Sequence, residues 1–150
     1  MQEKVILLVE DNPDDEELTI RTLKKNLIIN EVVVARNGIE ALDYIHGTGK
    51  YEGRDLDYMP VVVMLDIKLP KINGLEVLKR IRANERTKLL PIVILTSSDD
   101  ERDLIDSYRF GANGYVRKPV HFQDFQEVVK NLALYWLILN NPPPNIRSRQ

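Results

Sequence analysis

The chain has 150 residues, no cysteine, and 21 lysines and arginines against 23 aspartates and glutamates, for a formal net charge of -2. That length fits one domain able to bury a core, and the balance of charge argues against a nucleic-acid surface as the main feature. Disulfide and thiolate chemistry are excluded.

The N-terminus, MQEKVILLVED, has a short apolar stretch with acidic residues on both sides. A signal peptide needs a basic start and a longer apolar region, and no run approaches the ~20 residues of a membrane span. We therefore read a cytoplasmic protein with no membrane and no nucleic-acid partner.

In chain order, KVILLV (4–9) predicts a first strand. Pro13 to Asn26 predicts a helix, with Asn12 as N-cap, Pro13 at the first helical position, and Leu18, Leu23 and Leu27 on one side. EVVVA (31–35) is a second strand and Gly38 to His46 a second helix, followed by a long loop, GTGKYEGRDLDYMP (47–60). VVVML (61–65) gives a third strand, Leu75 to Ala83 a third helix, PIVIL (91–95) a fourth strand, and Asp99 to Phe110 a fourth helix ending at Gly111. A weaker GYV (114–116) is the fifth strand, and Phe122 to Leu139 is the longest helix.

The strands are rich in Val, Ile and Leu with little polar alternation, as expected of strands covered on both faces in a parallel sheet. Five strands alternating with five helices predict right-handed crossovers and an open, doubly wound α/β sheet. The expected division is a domain over 1–140 and a flexible proline-rich tail over 141–150, with no second domain.

The last helix repeats Phe122, Phe125, Val129, Leu132, Trp136 and Leu139 at helical spacing, an expected core stripe. Within it, LALYWLIL (132–139) is apolar all round. Exposed apolar surface of this kind marks a partner site. Two readings stay open: a homodimer through the fourth and fifth helices and fifth strand, with Tyr108, Tyr115, Phe122, Tyr135 and Trp136 as the candidate surface, or a PPP tail that folds back over it. His46 and His121 are isolated, with no partner at metal-ligand spacing, and are expected at the surface.

Ligands of such sheets bind beyond the carboxyl ends of the strands. Those ends carry Glu10 and Asp11, Asp66, Thr96 with Ser97 and Ser98, and Lys118 before Pro119. Three close carboxylates repel one another unless a cation sits among them, and hard oxygen donors suit Mg²⁺. A carboxylate can also attack phosphorus, giving an aspartyl phosphate whose oxygens need neutralising. A metal, the Lys118 ammonium and the Thr96 hydroxyl could each take one.

VEDN (9–12), LDIKLPKINGLEVL (65–78), LTSS (95–98) and YVRKP (115–119) together resemble the receiver domain of two-component response regulators. Thr96 lies 30 residues after Asp66, and Lys118 lies 22 after Thr96, as in that family. The resemblance covers about residues 3 to 139. It implies a flavodoxin-like fold with strand order 2-1-3-4-5, and Asp66 as phosphoacceptor. It also implies Mg²⁺ (or Mn²⁺) held by Glu10, Asp11, Asp66 and the Lys68 carbonyl, with Thr96 and Tyr115 as switch residues and Lys118 as the phosphoryl-binding lysine. A cis Lys118–Pro119 bond and matching roles for Pro70 and Gly74 in the loop after the acceptor come with it.

The implied function is that of a single-domain response regulator. It takes a phosphoryl group from a sensor histidine kinase and switches a protein-binding or dimer surface, catalysing only its own phosphorylation and dephosphorylation. The long 47–60 loop, ERDLIDSYRFGANGYVRKPV (101–120) and LYWLILNNPPP (134–144) resemble the regulators found with bacterial phytochromes, which implies a phytochrome-like kinase. A phosphatase with an aspartyl nucleophile would need an acid where Lys68 stands. A receiver kept only for binding would be expected to have lost part of the acidic set.

Overall fold

The computed structural model describes residues 4–25 and 31–144. Leu27, Asn26 at the expected end of the first helix, and residues 145–150 of the tail lie outside the described residues.

Strands β1 (Val5–Val9), β2 (Glu31–Ala35), β3 (Val62–Leu65), β4 (Ile92–Thr96) and β5 (Gly114–Arg117) form one parallel sheet in the order β2-β1-β3-β4-β5. The expected strand order is borne out. Side chains alternate between two cores, as the period of a strand requires. Leu7, Val9, Val63, Leu65, Ile92 and Ile94 pack on one face against α2 (Gly38–His46) and α3 (Gly74–Ala83). Ile6, Leu8, Val62, Met64 and Val93 pack on the other against α1 (Pro13–Lys25) and α5 (Phe122–Leu134). Helix α4 (Glu101–Arg109) neighbours α3 and β5. Because both faces are covered, the central strands read as unbroken apolar runs.

Capping residues set the helix starts. The Asn12 side chain accepts from Asp14 N and Asp15 N at 2.9 and 3.1 Å, as expected for the α1 cap. Asn73 caps α3 one turn-position earlier than the apolar pattern suggests. Asp100, rather than Asp99, caps α4. These side chains supply acceptors to amides that the helix itself leaves unpaired.

The 47–60 loop contains a single 3-10 turn, Gly49–Tyr51. It is held down by Arg54, which donates to the carbonyls of Tyr44 and Tyr58 at 2.7 Å each and lies 4.1 Å over the Tyr44 ring. Tyr51 meets Tyr44 edge-on at 5.0 Å.

The last helix differs from expectation. It is α-helical to Leu134 and π-helical over Tyr135–Leu139, closed by Asn140 N donating to Tyr135 O at 2.7 Å. The wider turn keeps the inward stripe at a spacing of four, through Phe125, Val129, Ala133 and Leu137. Phe122 and Leu139, expected in the core stripe, are exposed. Lys4 donates to the Leu137 carbonyl. Pro142 to Pro144 then run back to the amino ends of the strands, beside Lys4, Val5, Pro60, Val61 and Pro91. With Pro142 to Pro144 placed there, Leu134, Tyr135, Ile138 and Leu139 are exposed. His121 is exposed as expected, whereas His46 is half-buried, and burial lowers its pKa.

Candidate phosphoacceptor and metal site

Asp66, Glu10, Asp11, Thr96 and Lys118 all leave the carboxyl edge of the sheet. β3 delivers Asp66 in register, its amide donating to Val9 O at 3.1 Å while its Oδ1 accepts from Ile67 N at 2.7 Å. The loop that follows is tight. Gly74 N donates to Ile67 O at 2.7 Å, and a Cβ on Gly74 would lie 2.0 Å from the Asp66 carbonyl. Glycine is thus required to bring the start of α3 against the end of β3. Lys71 takes a left-handed conformation (φ 71°) in the same loop.

The Lys118 ammonium sits at the centre of the site. It lies 2.6 Å from Glu10 Oε1, 2.9 Å from Asp15 Oδ2 and 3.0 Å from Asp66 Oδ2. An ammonium has three donors, and here each faces a carboxylate from a different element. Glu10, Asp66 and Lys118 are 2%, 7% and 8% exposed. Burial works against the lysine's charge, but Asp66, Glu10 and Asp15 outweigh it and raise its pKa above the usual value. Burial pushes the Glu10 carboxyl up to about 7, with Asp66 adding to the rise and Lys118 opposing it.

Glu10, Asp11 and Asp66 offer carboxylate oxygens within 4.8 Å of one another. Asp11 is exposed, which leaves the cluster open to water and small ligands. One buried ammonium among these carboxylates leaves negative charge uncompensated. A small, hard divalent cation would relieve it while keeping several waters. The donor set fits such an ion. Lys68 lies two residues after Asp66 with its side chain exposed.

Thr96 is fully buried, and its Oγ1 accepts from Ser98 N at 3.3 Å. The Tyr115 hydroxyl donates to Ser98 O at 3.3 Å, and burial raises its pKa, keeping it a donor.

The peptide bond between Lys118 and Pro119 is trans, contrary to expectation. The trans form is the ordinary ground state of such bonds, and Lys118 reaches all three carboxylates from it. Asp15 was not singled out in the sequence, where it reads as a first-turn carboxylate of α1. Only the fold shows that it shares Lys118 with Glu10 and with Asp66, the latter 51 positions (66 − 15) further along the chain.

The candidate dimer residues divide. Tyr108 on α4 and Tyr135 are exposed, and Tyr115 on β5 is half-buried. Phe122 is exposed but borders a groove with Leu18 and Arg21 of α1. Trp136 packs against the α1/α5 core.

Residues 6–130 match the family model described as the response regulator receiver domain. Response regulator Rcp1 of Synechocystis sp. is 37% identical over 134 residues, 89% of each chain, and has been solved in an Mn²⁺-bound form (TM-score 0.87, 36% identity, covering 93% of this chain and 99% of that one). The phosphorylated cyanobacterial phytochrome response regulator RcpA superposes with a TM-score of 0.89 at 34% identity, covering 95% of this chain and 99% of that one. The bacteriophytochrome response regulator AtBRR is 48% identical with a TM-score of 0.74, covering 94% of this chain and all of that one. With the acidic cluster, these likenesses make Glu10, Asp11 and Asp66 a divalent-metal site of the receiver type. Among the described residues no helix is long and apolar enough to cross a membrane.

Proposed function

The chain belongs to the response regulator receiver domains, and on that premise we propose that it is a phosphorylation switch in which Asp66 accepts a phosphoryl group from the phosphohistidine of a sensor histidine kinase. The single observation that carries this is the convergence on Asp66 of Glu10, Asp11 and Lys118 at one sheet edge. An Asp66 carboxylate oxygen attacks phosphorus, the P–N bond breaks, and the imidazole leaves and is protonated from solvent. Mg²⁺, held by Glu10, Asp11, Asp66 and the Lys68 carbonyl, would neutralise phosphoryl charge. Lys118 donates to a phosphoryl oxygen and Thr96 to another. The same site allows water to attack the acyl phosphate, so the regulator assists its own dephosphorylation. An enzymatic phosphatase would need an acid two residues after the nucleophile, where an exposed lysine stands.

Phosphorylation adds about -1.5 to -2 charge at the sheet edge. Thr96 is drawn toward it, Tyr115 follows, and the face of α4, β5 and α5 changes, forming a homodimer or binding a partner. The likeness to phytochrome-associated regulators supports a phytochrome-like kinase as the donor.

The test is to incubate the protein with Mg²⁺ and acetyl phosphate and weigh it intact. The expected outcome is one phosphate adduct, absent in Asp66→Asn and absent when EDTA is present from the start. An adduct that persists in Asp66→Asn would move the acceptor elsewhere. The same measurement with a phosphorylated phytochrome-like kinase tests the partner.

A further inference from the structure

Ser98 stands two residues beyond Thr96 and is 5% exposed. Its amide donates to Thr96 Oγ1 at 3.3 Å, and its carbonyl accepts from the Tyr115 hydroxyl at 3.3 Å. Its own hydroxyl donates to Asp103 Oδ2 at 2.6 Å and accepts from the amide of Asp100 at 3.2 Å. Asp100 is the N-cap of α4 and Asp103 lies in its first turn. One buried serine is therefore bonded at once to the switch hydroxyl, the switch aromatic and the start of the helix expected to change.

From this geometry we infer that Ser98 is a positioning residue of the switch, and that its bond to Asp103 holds the β4–α4 connection in the unphosphorylated arrangement. This rests on the proposed phosphorylation of Asp66. To donate to a phosphoryl oxygen, Thr96 must turn toward Asp66, and the Ser98 amide then follows it or loses its acceptor. Asp103 is carried by the first turn of α4 and can follow only if that turn moves. The Ser98–Asp103 bond therefore breaks, or it drags the first turn of α4 with it. A contact made in only one of two states shifts the balance between them by its own free energy. A hydrogen bond to a carboxylate at 2.6 Å belongs to the stronger class.

The consequence has a sign that a merely structural role would not give. Ser98→Ala keeps the backbone bonds to Thr96 and Tyr115 and removes those of the side chain. It frees the connection, so a phosphoryl mimic binds more tightly, by roughly fivefold for a net bond worth about 1 kcal/mol. The probe is beryllofluoride with saturating Mg²⁺, titrated against wild type, Ser98→Ala and Asp103→Asn. The Tyr115 ring resonances, assigned by Tyr115→Phe, are followed in each. Ser98→Ala is expected to tighten binding and, without ligand, to shift the Tyr115 signals part of the way toward their liganded positions. Asp103→Asn retains an acceptor without the charge and is expected to fall between. Affinity and ring signals equal to wild type in both variants, or weaker binding in both, overturn the inference. A wild type that neither binds beryllofluoride nor takes phosphate from acetyl phosphate overturns the proposed function itself, and the inference with it.

Discussion

At the scale of single residues, the site is a balance between one ammonium and four carboxylates. Glu10 is strongly perturbed, with burial, and Asp66 beside it, pushing its carboxyl up to about 7. A metal binds the ionised form, so a proton competes with it. Below a pH of about 7 the apparent Mg²⁺ affinity is expected to fall, approaching tenfold per pH unit, and above it to level off. Calorimetric titration across that range, with proton release measured from two buffers, checks this. A flat profile would mean that Glu10 is already ionised without the metal. Lys118 gives a second prediction. Lys118→Ala removes a cation from the metal's immediate surroundings, so Mg²⁺ still binds and labelling of Asp66 persists, while the ligand that couples the phosphoryl group to the rest of the edge is gone. The adduct should form by mass, and the Tyr115 signals should stay at their unphosphorylated positions. A wild-type response of Tyr115 in Lys118→Ala would remove the lysine from the switch. Asp15 completes the three acceptors of Lys118, yet nothing in PDDEE distinguishes it from carboxylates that merely favour a helix start.

At the scale of elements, the site depends on how closely α3 approaches β3. Gly74→Ala would put a methyl carbon 2.0 Å from the Asp66 carbonyl oxygen and 2.8 Å from Ile67 Cα, and both of these atoms are backbone. Over-packing of this kind costs about 1–3 kcal/mol or more, and here the strain falls on the acceptor itself. The expected outcome is a lower urea midpoint together with slower labelling of Asp66, whereas wild-type stability and labelling would show that the loop can yield. The strands were legible because a strand covered on both faces must be apolar along its length, as VVML is and as IVILT is up to Thr96. Helix starts slipped by a residue or two where the cap, rather than the apolar pattern, decides, as at Asn73 and Asp100. The π turn over Tyr135–Leu139 was not legible. A segment apolar on every side carries no period, so the pattern cannot say where the backbone inserts a wider turn. Arg54 was equally hidden, since its partners are main-chain carbonyls that exist only once α2 and the 47–60 loop are folded together.

At the scale of the whole molecule, β2 and β5 are the two edge strands of the sheet. β5 pairs only with β4 and is half-covered, between α4 with Leu104, Ile105 and Tyr108 exposed and the end of α5 with Tyr135, Ile138 and Leu139 exposed. An edge strand flanked by apolar side chains is a surface that proteins normally cover or occupy. Among the described residues Pro142 to Pro144 do not cover it: they line a groove with Lys4, Val5, Val61 and Pro91, and Tyr135, Ile138 and Leu139 stay exposed. The proposed homodimer is therefore expected to use Tyr108, Tyr115 and Tyr135, with Ile138 at 65% exposure as an added contact and with Trp136 supporting from beneath. Sedimentation at micromolar concentration should show a dimer, at least with Mg²⁺ and beryllofluoride. Ile138→Asp should return it to monomer while shifting the urea midpoint little, since an exposed substitution usually changes stability by less than about 0.5 kcal/mol. A monomer under both conditions would sink the dimer and assign the same apolar edge to a different partner. A dimer that survives Ile138→Asp and a second charge at Tyr135 would move the interface to another face. The comparison with and without beryllofluoride then decides whether the edge is set by the state of Asp66 or is permanently available: only in the first case does the bond between Ser98 and Asp103 lie on the path from site to surface.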